Sequence, residues 1–310
     1  MKKQAIHNPI YRLTKRALHI DIPLLGALLL LMGFGLLILY SASNENMAMM
    51  NRQIIRLSFA LLVMFVFAFI PPHRYKLWSP WLYVSGLLLL IAVMILGKIG
   101  KGAQRWLELG FFRFQPSEIM KLAVPMMAAW YIDTKGGLQR KSTIFVSLII
   151  ILLPTLLIIK QPDLGTGIMV ASAGFCVIFL AGLSYRLILT ATGLSLLSLP
   201  VMWHFLHEYQ KKRVMMLLNP EKDPLGAGYH IIQSKIAIGS GGLAGKGWLQ
   251  GSQSHLNFLP EHATDFIFAV CGEEFGYFGS FVLIAMIISI TLRGLHIALH
   301  AQTAYTRMLA

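Results

Sequence analysis

The chain has 310 residues, of which 56% are hydrophobic and 13% charged, with a formal net charge of +14. A soluble protein carries about 25% charged residues, so the composition excludes an ordinary soluble domain. The basic excess reads as a basic face suited to anionic lipid rather than as a nucleic-acid footprint.

A basic segment (Lys2, Lys3, Arg12, Lys15, Arg16) precedes the first apolar run, Ile22–Tyr40. That run is too long for a cleavable signal and others follow it, so it reads as an anchor. Leu57–Ile70, Trp81–Leu96, Ile144–Ile159, Leu164–Leu183, Leu187–Phe205 and Phe266–Leu292 each approach or exceed the roughly 17–25 residues that cross a bilayer. Ile119–Tyr131 is shorter and carries Lys121 and Pro125. The pattern predicts an all-α, polytopic membrane helix bundle of eight spans, a single domain over 1–310 with one large loop at 206–262. Cys176 and Cys271 both fall within apolar spans, where cysteine acts as a packing residue.

Eight spans put both termini on one side. The basic N-terminus and the short basic loops 71–80, 132–143 and 184–186 make that side cytoplasmic, because long loops such as 206–262 count little in the positive-inside rule. The 206–262 loop is then extracytoplasmic. An unstructured loop of that length is improbable in a compact domain. Glu208–Leu218 reads as a short helix stopped by Asn219-Pro220. Tyr229–Ile238 reads as a helix on the membrane surface, and Asp223-Pro224-Leu225-Gly226 as a turn.

Several motifs carry possible chemistry. Gly239-Ser240-Gly241-Gly242-Leu243-Ala244 fits a loose G-x-G-x-x-A pattern, but no strand precedes it and no βαβ unit surrounds it, so a dinucleotide site is rejected. It is either a flexible turn or, with Lys246, a cradle of backbone amides for an anionic headgroup. Pro116-Ser117-Glu118 opens the short fourth span. Glu118 and Lys121 are i,i+3 neighbours that either pair locally or form a charged cavity wall. Arg105 and Trp106, just upstream, offer a cation and an interfacial aromatic. Lys160-Gln161-Pro162-Asp163 joins two spans tightly, with Asp163 placed to cap the second. No combination of histidine, cysteine and carboxylate spacing completes a transition-metal site. A divalent cation (Mg or Mn) recruited by substrate phosphates stays open.

Asp265, in Leu259-Pro260-Glu261-His262-Ala263-Thr264-Asp265-Phe266, stands where the long loop enters the last span. It is either a helix cap or a general base at the water–membrane boundary. At roughly 100° per residue, Gly272 and Gly276 lie within about 20° of it on a helical wheel. That pair is a small-residue stripe for close helix packing, which turns the Asp265 face toward protein. Glu261 and His262 cluster above it.

The stretches KGAQRWLELGFFRFQPSEIMKLAVP (Lys101–Pro125), QPDLGTG (Gln161–Gly167), DPLGAGYHIIQSKIAIGSGGLAGKGWLQGSQS (Asp223–Ser254) and FLPEHATDFIFAV (Phe258–Val270) resemble the SEDS family, the shape, elongation, division and sporulation proteins of bacteria. The resemblance runs from about Asp21 to Arg307. It implies a peptidoglycan glycosyltransferase of the cell inner membrane that polymerises lipid II for elongation and rod shape, alongside a class B penicillin-binding protein as transpeptidase. It implies that Asp265 matches the family's essential aspartate, and that Trp106, Glu118 and Lys121 match further positions associated with activity. Arg105, Lys121, Arg213, Lys235 and Lys246 are the basic candidates for the substrate diphosphate. Family members usually have ten spans, so the resemblance also implies that this chain, ending at Ala310 after eight, lacks the last two. A lipid II flippase and a non-catalytic scaffold for the transpeptidase are the competing expectations.

Overall fold

The computed structural model describes residues 20–309, apart from 97, 101–102, 109–112, 187–188, 191–192, 194–196, 199, 201–202, 205–207, 225–226 and 253–262. The described chain is mainly helical. In order it forms α1 (Ile22–Ala42), α2 (Met47–Ala68), α3 (Pro72–Leu96), α4 (Pro116–Thr134), α5 (Lys141–Lys160), α6 (Leu164–Leu180), α7 (Glu208–Leu218), α8 (Ala227–Ser240), α9 (Ile267–Leu299) and α10 (Ala304–Leu309). Five of these, α1, α2, α3, α5 and α9, are long and apolar enough to cross a membrane. The expected span at Leu187–Phe205 falls largely outside the described residues.

Two helices start well before the apolar runs that announced them. The expected second span begins at Leu57, whereas α2 begins at Met47 with Asn46 as its cap, Oδ1 accepting from the Ala48 and Met49 amides. Its first turns carry Asn51, Arg52, Gln53 and Arg56, whose polarity hid the helix from a hydropathy reading. Likewise α3 starts at Pro72, not Trp81. Pro suits a first helical turn because its missing N–H has no helical partner there. Between α3 and α4 the chain forms an antiparallel three-stranded ladder: β1 (Lys98–Gly100), β2 (Ala103–Glu108) and β3 (Arg113–Phe114), in the order β1-β2-β3. This small sheet is an addition to the all-helical expectation.

The described residues divide into two compact units. The first comprises 1–69 and 194–294, the second 70–193 and 295–310. The second unit is built on α3, α4, α5 and α6, with a core of Leu90, Met120, Val124, Ile151, Ile158 and Val170 that Tyr305 and Met308 of α10 complete. Lys76 and Asp133 pair at 2.5 Å and tie the start of α3 to the end of α4. At the opposite ends of these helices two motifs meet. Gln115 Nε2 donates to Ser117 Oγ (2.9 Å) and to Asp163 Oδ2 (3.2 Å), and Gln161 Nε2 donates to the Leu90 carbonyl (2.9 Å). Asp163 also caps α6, its Oδ1 accepting from the Thr166 amide at 3.2 Å. Asp163→Ala is expected to lower stability by about 1 kcal/mol, seen as a lower thermal midpoint in detergent.

The first unit comprises α1, α2, α7, α8 and most of α9. Asp21 caps α1 through the Leu24 amide (2.9 Å), and its carboxylate takes two hydrogen bonds from the Arg293 guanidinium, at 2.9 and 2.8 Å. A second contact zone along α1 joins Ile38 and Ala42 to Val270 and Cys271, with Phe34 tilted against Phe275.

Candidate functional site

Asp265 lies in the turn Ala263–Phe266 that leads into α9. Helix α9 begins at Ile267, two residues beyond Asp265, and backbone bonds close the turn: Ile267 N–H to Thr264 O (3.4 Å) and Ala269 N–H to Phe266 O (2.9 Å). The Asp265 side chain is exposed and has no hydrogen bond or ion pair among the described residues. It therefore does not cap the helix, and the alternative of a purely structural cap falls. An uncompensated carboxylate where a membrane helix begins is costly unless something uses it.

The glycine stripe below Asp265 meets protein, as the helical phase implied, but its partners are Ile238 near the end of the short helix α8, against Gly272, and the loop that follows, against Gly276. At Gly276 the backbone turns to φ 63°, ψ −157°, which breaks α9 into Ile267–Phe275 and Tyr277–Leu299. A break inside a bilayer frees backbone groups that must be satisfied by protein. The segment Gly241–Gly247 does this. Lys246 and Gly247 amides donate to the Glu273 and Glu274 carbonyls (3.0 Å each). The Tyr277 and Phe278 amides donate back to Gly242 O (3.0 Å) and Leu243 O (3.2 Å). A Cβ at Gly245 would stand 2.0 Å from Glu274 O, so only glycine permits this approach. The glycine-rich motif is thus not a free turn: its Gly242 and Leu243 carbonyls, with the Lys246 and Gly247 amides just beyond it, are committed to the broken helix.

The same clamp engages Lys246. Its ammonium lies 2.6 Å from Glu273 Oε1, and Glu273 is fully buried. Ser252 Oγ donates to the same oxygen at 3.1 Å and accepts from Lys246 Nζ at 2.8 Å. Glu274, also buried, accepts from Ser41 Oγ of α1. Trp248 stacks obliquely on Tyr40 and donates to the Leu37 carbonyl at 3.3 Å, fixing the clamp to α1. Removing one partner of a fully buried pair costs about 3–5 kcal/mol. The Lys246 side chain is 29% exposed, so Lys246→Ala is expected to cost less, about 2–3 kcal/mol. Lys246→Arg should recover most of the lost thermal midpoint.

The remaining expected residues divide between the units. Trp106, Glu118 and Lys121 belong to the second unit. Trp106 is 41% exposed on β2. Glu118 and Lys121 form the i,i+3 ion pair at 2.7 Å, both partly exposed. Lys235 is exposed on α8 of the first unit. Glu261 and His262 lie outside the described residues, as do the side chains of Arg105 and Arg213.

A cavity of about 660 Å³ opens within the first unit beside Ala263 and Thr264. Its walls are apolar residues of α1, with Arg52, Gln53 and Arg56 from α2 and Ile267 from α9. Both arginines precede the apolar run Leu57–Ile70 and so escape a reading based on hydropathy. Their spacing of four residues within a run that continues into an apolar helix was the available signal.

The comparisons with known proteins converge. The family model described as cell cycle protein, FTSW_RODA_SPOVE, matches residues 22–310. Peptidoglycan glycosyltransferase MrdB of Escherichia coli (strain K12) is 53% identical over 293 residues, covering 94% of this chain and 79% of that protein. Stage V sporulation protein E of Bacillus subtilis (strain 168) is 35% identical, covering 94% and 82%. A chain of a solved peptidoglycan synthase complex, described for its coordination of polymerization and crosslinking, superposes with a TM-score of 0.77 at 31% identity, covering 93% of this chain and 81% of that one. The rod shape determining protein RodA of Thermus thermophilus follows with 0.66 at 26% identity, covering 93% and 78%. Several membrane-length helices and this agreement over nearly the whole sequence place the chain, as a multi-pass membrane protein, in the FTSW_RODA_SPOVE family of cell cycle proteins.

Proposed function

We infer that the chain is a peptidoglycan glycosyltransferase that polymerises lipid II on the extracytoplasmic face of the bacterial inner membrane, with Asp265 as general base. The observation that carries the reading is the Asp265 carboxylate, exposed and uncompensated in the turn that enters α9, in a chain whose relatives are named for this activity. A base must reach the proton it removes, and a side chain spent on a cap could not.

The reaction is an inverting glycosyl transfer. Asp265 takes the proton of the 4-hydroxyl on the incoming lipid II sugar. That oxygen attacks the α-linked anomeric carbon of the growing chain and forms a β-1,4 bond. The bond from that carbon to undecaprenyl diphosphate breaks, and the diphosphate leaves with the electron pair. Its charge calls for preorganised cations, supplied by basic side chains or by a divalent cation carried in with the substrate. Trp106, Glu118 and Lys121 contribute to substrate handling, Arg105, Arg213 and Lys235 are further basic contributors, and Glu261 and His262 flank the base. The transpeptidase partner is a class B penicillin-binding protein. Both described termini are cytoplasmic, as the basic N-terminus and short basic loops favour.

One observation bears on a transporter reading. Broken membrane helices often build transport sites at the break. Here the break at Gly276 is filled by the chain's own Gly241–Gly247 segment, which leaves its backbone groups engaged and favours an enzyme. The test is glycan formation from lipid II by the purified chain, with and without the transpeptidase. Lipid II translocation in vesicles without glycan products would overturn the proposal.

A further inference from the structure

The cavity beside Thr264 holds two cations that the glycosyl-transfer scheme leaves unassigned. Arg52 and Arg56 both line it. Four residues apart on α2, they share one face about 6 Å apart along the helix axis. Like charges at that spacing repel, and a guanidinium within a membrane helix is costly without a partner. Neither arginine has an ion pair or a hydrogen bond among the described residues, and both are exposed. Among the described residues no carboxylate lines the cavity. Two adjacent, uncompensated positive charges are therefore held against a wall formed largely by Met32, Leu36 and Leu39 of α1.

That combination of charge and surface selects a ligand class. A guanidinium presents a planar fork of donors that matches phosphate oxygens two at a time. Two such forks one helical turn apart suit two linked phosphates better than one. The apolar wall suits a hydrocarbon that begins directly at the anion. The volume, about 660 Å³, is in the range of small-molecule pockets. It accommodates a charged head and the start of a chain whose remainder passes into the bilayer. We propose that Arg52 and Arg56 form a clamp for the diphosphate of a polyprenyl-linked substrate, with the first isoprene units lying along α1. The proposal rests on the glycosyltransferase reading and assigns its substrate's anionic linkage to a particular pair of residues. Ala263 and Thr264, in the turn that carries Asp265, line the same cavity, so the clamp sits beside the base.

The experiment uses the full chain in neutral-lipid nanodiscs and measures undecaprenyl diphosphate binding by competition with fluorescent lipid II. Arg52→Gln and Arg56→Gln should each weaken binding about tenfold, the value of one lost charge-assisted contact. The double variant should weaken it by roughly 100-fold. Thermal midpoints recorded in parallel separate binding loss from unfolding. Should the glutamine variants fail to fold, the double lysine variant keeps the charges but not the forks, and several-fold weaker binding is then expected. Unchanged affinity in the folded glutamine variants, or in the double lysine variant, would overturn the clamp. Equal competition by phosphatidylglycerol would also overturn it, since the arginines would then be anchors for ordinary anionic lipid. Asp265→Asn serves as the internal control. It should keep undecaprenyl diphosphate affinity while losing polymerisation; if it polymerises normally, the glycosyltransferase scheme fails while the binding result stands.

Discussion

Purified Asp265→Asn protein is expected to load lipid II normally and to polymerise it at least about 100-fold more slowly than the wild type. General-base catalysis contributes about 10²–10⁴ in rate, and asparagine keeps the size of the side chain while removing its ability to accept a proton. The structure makes this substitution unusually clean to interpret. The Asp265 carboxylate has no hydrogen-bond or salt-bridge partner among the described residues, and the turn around it closes through backbone atoms. Nothing in the local fold therefore depends on its charge, and the thermal midpoint should stay within a degree or two of wild type. Glycan length measured by gel or mass spectrometry, set beside lipid II binding, checks both halves. A large drop in stability would return Asp265 to a structural role. Near-normal glycan yield would remove it from the chemistry.

Gly276→Ala is expected to do the reverse, failing in stability before chemistry can be measured. A Cβ at this position would lie 2.4 Å from the Gly245 nitrogen and 2.7 Å from both the Gly242 and Leu243 carbonyl oxygens. These are backbone atoms, two of them acceptors in the clamp, so no side-chain rotation relieves the overlap. The residue also sits at φ 63° with ψ −157°, a region essentially reserved for glycine. Overpacking alone costs about 1–3 kcal/mol and the backbone strain about 1–3 more. Together these are a large part of a typical domain's stability. The expected result is poor accumulation in the membrane or a thermal midpoint lowered by many degrees. Gly272→Ala is the informative comparison: its Cβ would meet Ile238 Cγ1 at 3.1 Å, a side-chain atom able to shift, so the loss should be much smaller.

Much of the architecture was legible because bilayers impose a simple rule on sequence: long apolar runs become helices. Ile22–Ala42 and Lys141–Lys160 appear almost where the hydropathy placed them. The short helix Glu208–Leu218 ends where Asn219-Pro220 required. Hydropathy failed where a helix begins with polar residues that have a use, as Arg52 and Arg56 do in α2. It also could not register the strands at 98–114, since Gly, Arg and aromatic residues in a short mixed segment show no clean period of two. Asp265 was identifiable from its position and resemblance. Its freedom from capping was not, because an aspartate at a helix entrance has the same composition whether or not its oxygen reaches an amide. Lys246 shows the opposite case. Its basic character suggested an anionic headgroup or diphosphate, whereas its partner, Glu273, lies 27 residues away and becomes visible only once the helix breaks at Gly276.

The Asp21–Arg293 pair joins residues 272 positions apart. At about 5–20 residues per second of synthesis, the ribosome spends on the order of ten to sixty seconds between making one and the other. For most of that interval α9, the partner of α1 in the same unit, does not yet exist. Most of the second unit, residues 70–193, is contiguous and already synthesised by then. The second unit waits as well, for Tyr305 and Met308 of α10, which complete its core. The unit that carries Asp265 closes only when the arrival of Arg293 gives the waiting carboxylate of Asp21 its counter-ion.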